Sequence, residues 1–108
     1  MPFRRRREQP PRIESPNSPE ALIRSVVQSL TRRAGIDARP VRSLATVIDL
    51  IENDETDMAI DDLAHVIVCF RLPIHRAEYD QLVAAAQELD ELDSLTGLNV
   101  EQFVSEQA

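Results

Sequence analysis

Residues 51–82, IENDETDMAIDDLAHVIVCFRLPIHRAEYDQL, decide the fold. They hold an acidic corner, an apolar run to Phe70, a proline turn at Leu72-Pro73-Ile74 and a marked helix start at Glu78-Tyr79. Ala59, Ile60, Leu63, Ile67 and Phe70 recur at the period of one helix face, and the apolar spacing begins upstream at Met58. Asp54 is the expected N-cap of that helix, with Asp57 at its third position. The β-branched run Val66-Ile67-Val68 before Cys69 and Phe70 also suits a strand, but no partner strand is evident, so the helix is favoured. Pro73 ends it. With His75 at the next N-cap, Glu78 falls at the third helical position, and Ile74 can staple onto Tyr79 across the cap. Tyr79, Leu82, Val83, Ala86 and Leu89 then continue a buried stripe.

Upstream, Ser18-Pro19-Glu20 starts a first helix: the serine caps orphan amides, the proline gives up no hydrogen bond, and the glutamate suits the positive end of the dipole. Leu22, Ile23, Val26, Val27 and Leu30 form its apolar face, Arg24, Gln28, Arg32 and Arg33 its outward one, and Gly35 its exit. After Pro40, Ser43 is the expected cap of a short helix carrying Leu44, Val47, Ile48 and Ile51 and ending near Glu52 or Asn53. Downstream, Thr96-Gly97-Leu98-Asn99 turns the chain into a last amphipathic piece with Val100, Phe103 and Val104. The expectation is an all-α protein: a small bundle of four main helices plus a short C-terminal helix, spanning residues 18–108. Residues 1–17, with Arg4 to Arg7 and prolines at 10, 11 and 16, are expected to be a disordered basic tail.

Composition agrees. The chain of 108 residues has the size of one domain, and its two glycines poorly supply the turns of a β-rich fold. One cysteine, Cys69, excludes an internal disulfide, and its place in an apolar run suggests a reduced compartment, so a cytoplasmic location is expected. No apolar stretch follows the N-terminal arginines as a signal peptide requires, and none has the length of a membrane span. The net charge of −7 conceals a split: residues 1–42 hold ten arginines against four acids, residues 43–108 two arginines against fifteen acids. The acidic part would repel phosphate and attract a basic protein, so nucleic acid is not the expected partner.

Reaction chemistry is hard to find. Asp61, His65 and Cys69 lie four residues apart on one helix face, but a zinc site wants a fourth ligand, and His75 lies beyond a proline turn. Glu52, Asp54, Thr56 and Asp57 lack the glycine and distal glutamate of a calcium loop. Cys69 and His65 could be neighbours, yet no polarising third group is legible. No catalytic set, metal or cofactor is therefore expected. What folding leaves unexplained is the density of carboxylates: Glu52, Asp54, Glu55, Asp57, Asp61 and Asp62 around one corner, and Asp80 with Glu88, Asp90, Glu91 and Asp93 on the next helix. The expected partner-binding residues are Glu52, Asp54, Glu55, Asp57, Asp61, Asp62 and Asp80, because a basic protein would relieve their repulsion and be steered to them.

The pieces Leu50-Ile51-Glu52-Asn53-Asp54-Glu55, Met58-Ala59-Ile60-Asp61-Asp62-Leu63, Leu72-Pro73-Ile74 and Glu78-Tyr79-Asp80-Gln81-Leu82 make residues 47–89 resemble the MafI family of bacterial immunity proteins. These are small helical proteins that neutralise a cognate toxin of a polymorphic toxin system. Asp54 stands where the family often has glycine, His75 replaces the usual Ser or Thr cap, and the basic tail is extra. The resemblance implies inhibitory binding to a toxin, often a nuclease, with carboxylates standing in for nucleic-acid phosphates. The alternative expectation is a regulatory or adaptor module whose arginine tail contacts nucleic acid.

Overall fold

The structure, a computed structural model, describes residues 17–105. The expected tail lies outside the described residues except for Asn17. Four helices of similar length, α1 (Pro19–Ala34), α2 (Ala38–Glu52), α3 (Thr56–Phe70) and α4 (Arg76–Leu89), are followed by the short α5 (Leu92–Thr96) and a 3₁₀ turn at Val100–Phe103. The all-α bundle is as expected. It adds a feature with no sequence signal, a parallel pairing of two-residue strands, β1 (Ile74–His75) and β2 (Val104–Ser105), in register Ile74 with Val104.

Helix α3 is the hub. It packs against α1, α2, α4, α5 and the 3₁₀ turn, and Ala59, Ile60, Leu63, Ala64 and Ile67 are fully buried. The run at residues 66–70 is therefore helical, its β-branched side chains absorbed by neighbours on several sides. Ile23 and Val26 of α1, Leu44 and Val47 of α2, Leu82 and Ala86 of α4, and Val100 complete one core. Burying each Leu, Ile or Val contributes about 1.5–3 kcal/mol.

Two helix starts differ from expectation. Helix α2 begins at Ala38 with Asp37 as N-cap, not at Ser43. Pro40 lies in its first turn, where its missing N–H would have had no intrahelical acceptor, so it is built in and buried rather than acting as a separator. Asp54 does not cap α3. It adopts a left-handed conformation, φ 63°, because it closes α2: its N–H donates to the Ile51 carbonyl (3.1 Å) and that of Glu55 to the Leu50 carbonyl (2.8 Å). Helix α3 then starts one residue later than expected, at Thr56, and Asp57 falls at its second position.

That closure recurs. Arg71 (φ 52°) ends α3 and Asp90 (φ 60°) ends α4, with N–H groups of Leu72 and Glu91 reaching back to the carbonyls of Ile67 (3.0 Å) and Ala86 (2.7 Å). All three exits are Schellman motifs built without glycine.

The other starts are as expected. The Ser18 hydroxyl accepts from the Ala21 N–H at 3.1 Å, and the His75 N–H donates to Glu78 Oε1 at 2.9 Å. Arg33, expected to face outward, instead lies against Glu78: Nη1 donates to Oε2 and Nη2 to Oε1, each at 2.7 Å, while Nη2 also reaches the Pro73 carbonyl at 3.1 Å. The Glu78 side chain is 9% exposed. Burial alone would raise its pKa, but the Arg33 hydrogen bonds, the His75 N–H and the Arg33 charge together hold it below the ordinary glutamate value.

Two outcomes are expected. A folded pKa below the unfolded one means that ionised Glu78 adds stability above about pH 4.3 and loses it as pH falls through the lowered folded value. Glu78→Gln should therefore cost about 2 kcal/mol at pH 7 in denaturant unfolding and flatten the acid limb. Arg71→Gly should raise stability by about 0.5–1 kcal/mol, because glycine adopts φ > 0 without steric cost; a loss would show that the arginine side chain is needed there.

Candidate partner-binding surface

The C-terminus of α2, the N-terminus of α3 and the exit of α4 meet at one end of the bundle. There a groove of about 380 Å³ is lined by Thr46 and Leu50 of α2, Asp57, Met58, Asp61 and Asp62 of α3, and Glu91. Three of the expected residues, Asp57, Asp61 and Asp62, converge in it. Met58, expected to open the buried stripe, is 54% exposed and supplies, with Leu50, an apolar floor among the carboxylates.

The remaining expected residues are distributed differently. Glu52 is engaged within the protein, its Oε2 accepting from Arg24 Nη1 at 3.1 Å. Asp54 and Glu55 are exposed in the α2–α3 corner, and Asp80 is exposed on α4; none of these three lines the groove. Glu91 comes in from the α4–α5 junction. Its carboxylate also accepts from the Ser94 hydroxyl at 3.4 Å, and Glu91 is the N-cap of α5, with Asp93 in its first turn. These two acids, unfavourable as the end of α4, are favourable as the start of α5.

Charge is compensated unevenly. Among the described residues, Glu52, Glu78 and Glu101 each face an arginine, Arg24, Arg33 and Arg76 respectively. Among the described residues no arginine pairs with Asp57, Asp61, Asp62 or Glu91, while His65 places its Nδ1 3.7 Å from the Asp61 carboxylate. Asp62 has a raised pKa, chiefly because burial penalises its ionised form; His65 opposes this and the Asp61 charge adds to it.

As a metal set, Asp61, His65 and Cys69 stay apart in role. His65 Nδ1 is 2.9 Å from the Asp61 backbone carbonyl, a contact that needs the proton on Nδ1. Cys69 is exposed despite its place in an apolar run. No group of three or more potential metal ligands occurs among the described residues, and no helix among them is long and apolar enough to cross a membrane. Sequence reasoning did not assign Glu91, Met58, Leu50 or Thr46 to the site; only the run of acids around Glu91 signalled part of it. Comparisons with family models, curated proteins and solved structures each found no match.

The groove's electrostatics are open to direct measurement. In a carboxyl-carbon NMR titration Asp62 should titrate above the usual aspartate range, lower in Asp61→Asn and higher in His65→Gln. The stability sign is opposite to that of Glu78: a raised folded pKa makes Asp62 a progressively larger liability as pH climbs through it. An Asp62 that titrates normally and ignores both substitutions would contradict this description.

Proposed function

We propose that the chain is an immunity-type inhibitor that binds a basic face of a cognate toxin through the groove at the α2–α3 corner. The observation that carries this reading is the convergence of Asp57, Asp61, Asp62 and Glu91, none paired with an arginine among the described residues, around the exposed Met58. An apolar anchor inside a ring of charge suits protein recognition: the thioether and Leu50 offer area to desolvate, and the carboxylates accelerate and orient the encounter. The resemblance of residues 47–89 to immunity proteins names the class of partner, and a toxin acting on nucleic acid would present the cationic surface that this groove complements.

Inhibition on this reading is occlusion. The inhibitor's carboxylates occupy positions that phosphates would take on the toxin, and its rigid helices hold them in place with little ordering at the moment of binding. Asp62 gains most, because a cation in the groove offsets the burial that disfavours its ionised form.

On this reading a neighbouring reading frame should encode a toxin with a basic C-terminal domain, and the test is co-expression with it. The wild-type chain should protect cells, while Asp57→Arg/Asp61→Arg should lose protection and slow association about tenfold or more at low salt. Asp80→Arg, outside the groove, should protect like the wild type. A wild-type chain that fails to protect, or protection indifferent to the groove reversal, sinks the reading.

A further inference from the structure

The acidic groove is one half of a longer seam. At the other end of the same α2–α3 face, Arg39, Arg42, Ser43, Thr46 and Phe70 line a second cleft of about 280 Å³, and Thr46 belongs to both. The helices run antiparallel, so the start of α2 lies beside the end of α3: the Arg39 guanidinium sits over the Phe70 ring, 5.8 Å from its centroid. From Arg39 to Leu50 the seam runs about 17 Å along α2 at 1.5 Å per residue. It is cationic at one end, acidic at the other, and has Phe70, Leu50 and Met58 along its floor.

Two further facts make this arrangement costly for an isolated chain. Arg24, Arg33 and Arg76 each meet a carboxylate, whereas among the described residues Arg39 and Arg42 form no ion pair, just as the groove acids meet no arginine. Apart from Asp37 at its N-cap, helix α2 also carries its charges against its own dipole. It has no acid in its first turn and no base in its last; Arg39 and Arg42 lie toward the positive end, Asp49 and Glu52 toward the negative end. Both penalties are relieved by a surface with the reverse order of charge.

We propose that the occupant of this seam is a second copy of the same chain, docked antiparallel about a two-fold axis near Thr46. The arginine cleft of one copy then faces the Asp57–Asp61 groove of the other, twice over. An isologous interface must be complementary to itself under rotation, and a face with opposite charges at its two ends satisfies that condition. Association held mainly by exposed charges at the two ends of the seam is weak and salt-sensitive. It is independent of the toxin reading, although a toxin in the groove would compete with it.

Sedimentation equilibrium of the full chain, from about 5 μM to about 1 mM at low and moderate salt, tests the proposal. The wild type should show a monomer–dimer equilibrium that shifts toward monomer, by tenfold or more in dissociation constant, as salt is raised. Arg39→Glu/Arg42→Glu places acid at both ends of the seam and Asp57→Arg/Asp61→Arg places base at both ends, so each variant alone should be monomeric. Mixed in equal amounts, the two should form a heterodimer, a recovery that a folding defect would not produce; circular dichroism should show native helix content in both. A wild type that stays monomeric, a dimer that survives the arginine reversal, or variants that fail to restore association on mixing would each overturn it. A dimer lost only on reversing the acids would place some other basic segment in the groove and would overturn it as well.

Discussion

The Arg33 guanidinium lies flat against the Glu78 carboxylate with two contacts of 2.7 Å, and that bidentate pair fixes how the two halves of the chain meet. One partner ends α1 and the other begins α4, 45 residues apart. The same guanidinium reaches the Pro73 carbonyl, so the turn out of α3 is held as well. Ile74 follows directly and pairs with Val104, which brings the C-terminal segment and its buried Val100 down over α3. A planar fork meeting a carboxylate that is 9% exposed differs in kind from Arg24–Glu52 and Arg76–Glu101, whose partners are 60% and 57% exposed and contribute little through solvent.

Chain direction turns a charge gradient along the sequence into a charge separation in space. In an up-and-down bundle the end of α1, the start of α2, the end of α3 and the start of α4 share one pole, and there lie Arg33, Arg39, Arg42, Arg71 and Arg76. The opposite pole gathers the start of α1, the end of α2, the start of α3 and the exit of α4, with Glu52, Asp54, Glu55, Asp57, Asp61, Asp62 and Glu91. Contacts within the acidic pole confirm that these ends meet: Thr56 donates to Glu20 at 3.3 Å and Arg24 to Glu52. The sparing use of glycine adds to the effect. Helix exits need a residue at positive φ, and aspartate is among the side chains that tolerate it, so Asp54 and Asp90 serve as closures that also add negative charge.

Features governed by local chemistry were legible in the sequence, and features that depend on where elements meet were not. Ser18 with Pro19, and His75 with Glu78, signal helix starts because caps act within three residues. The bundle of four main helices follows from apolar spacing over a long enough window. Pro40 misled because a proline signals a boundary without saying whether it lies outside the helix or in its first turn. Asp54 misled for a related reason: aspartate suits both an N-cap and a left-handed exit, and the competing demand of the α2 carbonyls decides. Arg33 looked like a solvated helix end, since a bridge across 45 residues leaves no local trace. The acidic corner was visible, but its groove was not. Met58 and Glu91 join Asp57, Asp61 and Asp62 only through packing of α3 against the elements that flank it.

The carboxylates that remain after folding takes its share form a smaller and more informative set than the acid-rich composition suggests. Glu78 and Glu52 are neutralised by arginines, Asp54 and Asp90 close helices, and Glu91 and Asp93 favour the start of α5. Among the rest, Asp62 is half-buried beside Asp61, and there, chiefly through burial, the protein holds a carboxylate whose ionised form is disfavoured. Neither Asp61 nor Asp62 is part of the buried face of α3, so packing of the core does not require a carboxylate at either position. A cationic group brought to the groove from outside would offset the burial of Asp62, and that is the physical reason for reading the acidic pole as a recognition surface.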